Sequence, residues 1–494
     1  MTGAGTAVVR AASLRGVEAE PVTVEVSLSG GLPGLDIVGM PDPAVLEARS
    51  RVRCAMRASG FAQPREHVTI NLAPSDLRKT GTAYDLPIAV ALLIATAQLP
   101  PSVADDLLFA GELALDGSVC PVRGEMAYAL LARELGVELV VSAESPLVGS
   151  WTEGARGIRA LAQLKGGVRS LPSLASRPAD EAEAPEAPDF GDVADQELAK
   201  RAMTIAAVGR HGVLMVGPPG SGKTMLARCL PSILPPLSED EAASAMLIHS
   251  VAGQPIDRLA AGLRPFRAPH HSISTGGLVG GGRPVLPGEI SLAHEGVLFL
   301  DELPEFSHAT LQALRQPLED RVVRIVRVDG SYSFPCDFQL VAAANPCPCG
   351  HLGDPGHECT CSQSRIAAYQ ARVGGPLMDR IDVVVDVPRP ETAKVIDGRA
   401  GTTSAEMAQT VGAAREFRAW RTRAGEQESL PPAAYLDVRA RGALESLARG
   451  LSLGGRAIVR VSRVARTIAD IAEHELVSED DVVEALAFRP RAKG

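Results

Sequence analysis

Aromatic residues are scarce in this sequence, making up 3% of its 494 residues. The hydrophobic cores must therefore consist mainly of Leu, Val, Ile and Ala, and a binding surface of many stacked aromatic rings is excluded. A basic charge balance is also lacking, because the net charge is −10. Any contact with nucleic acid must then come from local basic features.

Long hydrophobic runs are lacking as well. The longest apolar run, Leu86–Leu99, is too short to span a bilayer. The first residues carry Arg10 and Arg15 and no apolar segment of a secretory signal. These features predict a cytoplasmic protein that does not bind a membrane.

Cysteine is infrequent too, and 8 cysteines in a chain of this length do not suggest a disulfide framework. Four of them form two C-x-C pairs, Cys347 with Cys349 and Cys359 with Cys361. Four thiolates on a Gly-rich loop can surround Zn²⁺ tetrahedrally. The spacing is tighter than in the common C-x₂-C ribbon, and four free thiols are the alternative to zinc.

One stretch that is present, Gly217–Thr224, fits the phosphate-binding pattern G-x-x-x-x-G-K-[ST]. A strand-like run, Gly212–Val216, precedes it and a helix-like run, Met225–Leu230, follows it. Such a loop points backbone N–H groups at phosphate oxygens, and the helix N-terminus adds partial positive charge. The expected nucleotide-binding residues are Gly217, Pro218, Pro219, Gly220, Ser221, Gly222, Lys223 and Thr224. Lys223 would reach the β- and γ-phosphates of ATP and Thr224 would bind Mg²⁺, whereas the alternative is an incidental Gly/Pro turn.

Polar residues follow two further strand-like runs. Asp301 and Glu302 come directly after Val297–Leu300, and Asn345 comes directly after Phe338–Ala344. Asp301 would hold Mg²⁺ through water, and Glu302 would orient and deprotonate the attacking water. The alternatives are a helix cap for the acid pair and turn chemistry for the asparagine. The adjacent histidines in Pro269-His270-His271 are interpreted as part of a loop in preference to a metal site.

A β-hairpin is predicted just before the run that ends at Asn345. The β-branched segment Val322–Val328 contains Arg324 and Arg327, and Asp329-Gly330 supplies the turn. In a motor that pulls on DNA, both arginines would be expected to contact the DNA phosphates, because the hairpin leads directly into the strand that ends at Asn345. A solvated strand face is the alternative.

The front region resembles a known domain. The matching stretches are Gly34–Asp42, Asn71–Lys79 and Tyr84–Ala89. They are similar to the Lon-protease-like domain at the front of magnesium-chelatase-like AAA+ ATPases of the ComM/YifB family. That resemblance places Ala83 at the serine nucleophile and Met126 at the lysine base. Since neither chemical group is present, we expect a scaffold or interaction domain without peptidase activity.

The chain from the phosphate loop onward resembles the same family, through the stretches Arg264–His271, Pro287–His294, Asn345–Gly350 and Val464–Asp470. The resemblance implies a hexameric ring that hydrolyses ATP to move DNA branches in recombination and natural transformation, with recombination proteins as further partners. Asn345 would be the first sensor. Arg380 would reach into the neighbouring subunit's ATP site, with a local Asp379–Arg380 salt bridge as the alternative. Arg456 would be the second sensor, although Leu453-Gly454-Gly455 departs from the family pattern.

The predicted fold class is α/β, with a parallel-sheet P-loop core. We expect a Lon-like domain at 1–170, an acidic linker at 171–190, an AAA+ core at 191–388 and a helical lid at 389–494. The lid helices are expected at Thr410–Arg423, Ala440–Gly450 and Ile458–His474, with Ser478 before a last one. Two other functions remain open. A magnesium-chelatase motor subunit would not be expected to carry the front domain or the four-cysteine loop, and a non-catalytic ATP-binding scaffold would not need the complete set of catalytic residues.

Overall fold

The structure is a computed structural model that describes residues 5–175, 188–328, 330–354, 356–373, 375–396, 401–423 and 431–489. Residues 176–187 of the predicted linker and Asp329 of the predicted hairpin turn lie outside the described residues. None of the helices in these ranges combines the length and apolarity needed to cross a bilayer.

The front region is built on a mixed sheet with the strand order β3-β4-β2-β1-β5-β8-β9. The strands are β1 (Thr6–Arg15), β2 (Glu18–Ser29), β3 (Gly34–Val38), β4 (His67–Ala73), β5 (Leu107–Phe109), β6 (Glu112–Leu113), β7 (Val119–Cys120), β8 (Glu138–Ser142) and β9 (Ala155–Ile158), with β6 and β7 forming a separate hairpin. The helices are α1 (Pro43–Ala58), α2 (Asp85–Ala95) and α3 (Glu125–Leu135). Every residue of α2 is buried, so the longest apolar run of the sequence is a core helix.

Different helices pack on the two faces of the front sheet. Successive strand residues point to opposite faces, and Leu107 joins the cluster around α1 and α2 whereas Leu108 joins the cluster around α3. Helix α1 begins directly after Asp42, whose side chain caps it by accepting a hydrogen bond from the N–H of Val45 at 2.9 Å.

The second sheet is parallel and has the order β11-β14-β17-β10-β18. Its strands are β10 (Val213–Val216), β11 (Phe266–Arg267), β14 (Val297–Leu300), β17 (Gln339–Ala344) and β18 (Val383–Asp386). Two hairpins are attached to it, β12 (Gly280–Gly281) with β13 (Leu286–Pro287) and β15 (Val322–Arg327) with β16 (Gly330–Pro335). Because the strands are parallel, their carboxyl ends lie at one edge and their amino ends at the other.

The helices of this part cover both faces of the parallel sheet. They are α4 (Glu197–Gly209), α5 (Lys223–Ile233), α6 (Glu239–Ala252), α7 (Asp257–Ala260), α8 (Thr275–Val279), α9 (Glu289–Leu292), α10 (His308–Ala313), α11 (Arg315–Asp320), α12 (Gln363–Ala371), α13 (Gly375–Met378) and α14 (Thr392–Ile396). Val341 and Ala343 of β17 face the core shared with α4 and α5, whereas Leu340 and Ala342 face the hairpin β15–β16.

The last part of the chain is helical, as predicted, and packs on α4 and α5. Its helices are α15 (Ser404–Arg423), α16 (Val438–Gly450), α17 (Gly455–Ile471) and α18 (Glu479–Ala487). Ser478 caps α18 by accepting from the N–H of Asp481. Buried Arg421 on α15 binds Asp470 on α17 through two hydrogen bonds of 2.9 Å each, which fixes the two helices together. Short 3₁₀ turns elsewhere span Pro101–Ala104, Gly149–Thr152, Leu161–Gly166, Val168–Ser170, Phe190–Asp192, Leu303–Glu305 and Pro432–Ala434.

Helix α6 of the second region packs directly on α3 of the front region. The N–H of Gly124 donates to the carbonyl of Ser250 at 3.0 Å, and the N–H of Met126 lies 3.3 Å from its hydroxyl. Ala83 and Met126 are 5% and 0% exposed in the apolar cluster that includes α6. Helix packing therefore encloses the two positions at which the Lon resemblance would place a nucleophile and a base.

Candidate functional site

The predicted phosphate loop connects β10 to α5 at the carboxyl edge of the parallel sheet. Gly220 and Gly222 have left-handed backbone angles, φ 76° and 91°, which glycine adopts without strain. The ammonium group of Lys223 donates to the carbonyls of Gly217 and Pro218 at 2.8 Å each. Burial lowers the pKa of Lys223. Since its hydrogen-bond partners are uncharged, its positive charge is available to a phosphate.

The two predicted magnesium ligands meet across the sheet edge. The hydroxyl of Thr224, in the first turn of α5, donates to Asp301 Oδ2 at 2.8 Å, and Asp301 directly follows β14. A hydroxyl and a carboxylate at this distance form the oxygen donor set that Mg²⁺ prefers. The residues present therefore fit Mg²⁺.

The backbone of Glu302 is in the left-handed conformation, with φ 50°. This conformation is uncommon for residues other than glycine. The Oε2 atom of Glu302 lies 3.1 Å from Nδ1 of His271. The His271 ring is 4.0 Å from the ring of His270 and meets Phe306 edge-on. The sequence had placed the histidine pair in a loop without a role. The structure brings His271 to Glu302 because β11 and β14 are neighbours.

Asn345 completes the group at the carboxyl edge. It directly follows β17, which lies between β14 and β10. Its side-chain oxygen is 3.4 Å from the Lys223 ammonium group. Three strands thus deliver Lys223, Asp301, Glu302 and Asn345 to one place, as the parallel arrangement requires.

Arg380 lies at the other edge of the sheet, just before β18. Its guanidinium group binds Glu319, whereas Asp379 pairs with Arg456 at 3.5 Å and Arg460 at 3.6 Å. The local salt bridge of Arg380 is thus made with Glu319 in place of Asp379, and the role of Arg380 in a neighbouring subunit stays a prediction. Arg380 is far along the strand from its own chain's phosphate loop, so a role in ATP hydrolysis would have to be exerted on another subunit.

Arg456 lies in the first turn of α17 and its side chain is 87% exposed. Its contact with Asp379 places it beside Arg380, not against the phosphate loop. The structure therefore groups the two arginines that were predicted to sense or complete a nucleotide site, and the second-sensor role stays a prediction.

The four clustered cysteines come together on the loop after Asn345. Their sulfur atoms all lie within 4.8 Å of one another, and three of the separations are 3.3, 3.6 and 3.7 Å. A tetrahedral zinc site has sulfur atoms about 3.8 Å apart, given zinc–sulfur bonds of about 2.3 Å. The residues therefore fit Zn²⁺.

The cysteine loop contacts the phosphate loop. A Cβ atom on Gly350 would lie 2.6 Å from Cδ of Pro219, so only glycine permits this approach. On the same loop, buried Asp354 pairs with His351, His357 and Arg389 at 3.4, 3.3 and 3.2 Å. The two histidine rings are stacked 4.8 Å apart. Asp354 thus joins the two histidines of the loop to each other and to Arg389, which follows β18.

The predicted hairpin is formed by β15 and β16. Arg324 and Arg327 are exposed, as are Val326 and Val328 at the tip. At the base, the N–H of Cys336 donates to the carbonyl of Arg321 at 2.9 Å, and the chain then enters β17. The tip is flanked by the hairpin β12–β13, where a Cβ atom added to Gly281 would lie 3.2 Å from the Arg327 guanidinium group. The guanidinium group of Arg15, from the front region, lies close to Gly330.

The strand order and the position of Asn345 between the phosphate loop and the acid pair are those of the AAA+ class of P-loop ATPases. Family models described as "Magnesium chelatase, subunit ChlI", "Subunit ChlI of Mg-chelatase" and "Magnesium chelatase, subunit ChlI C-terminal" match residues 189–395, 24–145 and 401–489. The chain therefore belongs to the magnesium-chelatase family, and membership implies ATPase activity.

Comparison with individual relatives defines the type within this family. The uncharacterized protein YifB of Escherichia coli K12 is 40% identical over 487 residues, covering 96% of this chain and 95% of that protein. The competence protein ComM of Haemophilus influenzae is 39% identical over 498 residues, covering 98% and 97%. The magnesium-chelatase 67 kDa subunit of Chlorobaculum tepidum is 29% identical over 159 residues, covering 32% of this chain and 23% of that protein. This chain is a ComM/YifB-type magnesium-chelatase-like protein.

Proposed function

We propose that this protein is a cytoplasmic, homo-hexameric motor that hydrolyses ATP to move DNA branches in recombination and natural transformation. The observation that carries the proposal is the direct connection between an arginine-bearing hairpin and the strand that ends at Asn345. A change at the nucleotide site that shifts β17 along its length would also move the hairpin, which joins β17 at its amino end.

At the nucleotide site, each side chain has a distinct proposed task. The backbone of the phosphate loop and Lys223 bind the ATP phosphates. Thr224 and Asp301 hold Mg²⁺, which supplies positive charge to the phosphate oxygens. Glu302 accepts the proton of the attacking water, and Asn345 orients that water.

Hydrolysis is proposed to require two neighbouring subunits. Arg380 and Arg456 lie near Asp379 at the amino edge of the sheet, away from the phosphate loop of their own chain. A ring that places this edge against the carboxyl edge of the next subunit would bring Arg380 to that subunit's γ-phosphate, where its fixed charge stabilises the transition state. The proposed homo-oligomer is the assembly in which Arg380 of one subunit can act at the nucleotide site of the next.

DNA is proposed to bind at Arg324 and Arg327, which are exposed and form no ion pair among the residues that the structure describes. Each phosphate contact adds counterion release, so six copies of a modest contact would give strong, salt-sensitive binding. Single-stranded or branched DNA and other recombination proteins are the proposed partners. The name of the Haemophilus relative, a competence protein, supports the proposed role in natural transformation.

Two other parts of the chain are proposed to support the motor. Zn²⁺ bound by Cys347, Cys349, Cys359 and Cys361 would fix the loop that packs on Pro219. The division into a front domain (1–170), linker (171–190), AAA+ core (191–388) and lid (389–494) is retained as a proposal, with the front domain acting as a scaffold through its contact with α6.

The experiment combines mass measurement by light scattering with ATPase assays in the presence of no DNA, single-stranded DNA, duplex DNA and a four-way junction. Wild-type protein should form a hexamer, and DNA should stimulate its hydrolysis. Glu302→Gln should still bind ATP but hydrolyse it about 10²-fold more slowly or worse, since the base is lost while the shape is kept. A monomer with DNA-insensitive hydrolysis would argue against the motor, and normal turnover by Glu302→Gln would remove Glu302 from catalysis.

A further inference from the structure

One face of α15 carries an arginine cluster that the proposed motor does not use. Arg415, Arg418, Thr422 and Arg423 recur at helical spacing, and with Ala419 they line a wide-open cavity of about 490 Å³ on the surface of this one helix. The cluster belongs to the helical region that packs on α4 and α5.

Arg415 is the unusual member of this cluster. It is partly buried, yet its guanidinium group has no hydrogen-bond or ion-pair partner among the residues that the structure describes. Burial, reinforced by the positive charges of Arg264, Arg210 and Arg418, lowers the pKa of Arg415 to about 10. Removing a charge from water without pairing it is costly, so this arrangement calls for a ligand.

The nearby carboxylates are already paired with other arginines. Glu241 binds Arg264 at 2.9 Å, and Glu295 and Asp337 each lie 3.3 Å from Arg210. Glu241 attracts Arg415 only from beyond hydrogen-bond distance. Among the residues that the structure describes, these acids therefore leave Arg415 without an ion-pair partner beside the cavity.

The cluster is separate from the nucleotide site. Arg210, Glu295 and Asp337 precede β10, β14 and β17, so they mark the amino edge of the parallel sheet. Arg418 contacts the carbonyl of Val208 at the same edge. The phosphate loop lies at the opposite edge, beyond strands that span about 13 Å for four residues.

We propose that the α15 cavity is a second anion site, which binds phosphate groups with Arg415 as the central donor. A guanidinium group binds phosphate through two parallel hydrogen bonds, and it retains its charge in a partly buried position. Three lining arginines match the multiple charges of an oligophosphate or a nucleic-acid backbone. The site does not depend on the proposed DNA motor, since it uses neither the hairpin nor the phosphate loop.

The test measures pyrophosphate binding by calorimetry in a Lys223→Ala background, which removes the phosphate-loop lysine. Lys223→Ala protein should bind pyrophosphate, and adding Arg415→Ala should weaken that binding at least about tenfold, the loss expected for one charge-assisted contact. Adding Arg449→Ala, which removes an exposed arginine from α16, should leave binding unchanged. Absence of binding to Lys223→Ala, or equal binding in the Arg415→Ala and Arg449→Ala proteins, would overturn the site.

Two further measurements complete the test. The melting temperature of Arg415→Ala without ligand should equal or exceed that of its parent, because an unpaired charge is removed. A large decrease would indicate a structural role for Arg415 and contradict the proposal. Oligo-dT should displace pyrophosphate if the ligand is a nucleic-acid backbone, whereas retention of pyrophosphate would assign the site to small oligophosphates.

Discussion

The Nδ1 atom of His271 lies 3.1 Å from Oε2 of Glu302. The two residues follow neighbouring parallel strands, β11 and β14, so the contact is fixed by the sheet. A carboxylate that must accept a proton from water works best when its position is restricted. The imidazole of His271 supplies such a restriction.

Replacing His271 with Ala should lower the ATPase kcat about tenfold, because Glu302 loses the group that positions it. ATP affinity should stay near wild type, since His271 makes no contact with the phosphate loop. His270→Ala is the matched control, because the Nδ1 atom of His270 faces Ser272 at 2.8 Å. Steady-state kinetics together with nucleotide binding test this prediction, and equal kcat values for the two variants would contradict it.

Arg380→Ala should bind ATP but fail to hydrolyse it in the assembled ring. Mixing it with Glu302→Gln subunits should restore part of the activity, since one variant supplies the base and the other the arginine. Glu319→Gln, which removes only the partner of Arg380 within the chain, should remain active. Mixtures that never regain hydrolysis would count against a site shared between subunits.

Purified protein should contain about one zinc ion per chain, and the ion should be lost when Cys347 and Cys359 are both changed to Ser. Because Gly350 packs on Pro219, ATP affinity should fall in the same double variant. Cys54→Ser, at an exposed cysteine outside the cluster, should keep both zinc and affinity. Metal analysis of protein prepared without chelators checks the claim, and four reactive thiols with no zinc would refute it.

Local patterns in the sequence predicted much of the fold. The glycines and the flanking strand and helix identified the loop before Lys223, and the Asp329-Gly330 turn signal identified the hairpin that carries Arg324. The polar residues predicted after strand-like runs, Asp301, Glu302 and Asn345, meet because parallel strands share a carboxyl edge. These predictions depend on interactions between residues close in the chain or on a general property of sheets.

Contacts between distant elements could not be predicted in this way. The approach of His271 to Glu302 depends on which strands are neighbours, and the pairing of Arg380 with Glu319 depends on how α11 packs. The burial of Met126 beneath α6 required the arrangement of two separate sheets. A single sequence contains no direct signal for such packing. The expectation that the front region lacks peptidase activity, drawn from Ala83 and Met126, stays a prediction.

The measurement that tests the motor most directly is ATP-driven branch movement on a four-way junction by Arg324→Ala combined with Arg327→Ala. The account predicts ATPase activity without DNA close to wild type, no stimulation by DNA, no branch movement and a shallower salt dependence of DNA binding. The control replaces exposed Arg439 and Arg449 on α16 and should behave as wild type. Branch movement and a salt slope equal to wild type in the hairpin variant would contradict the central claim.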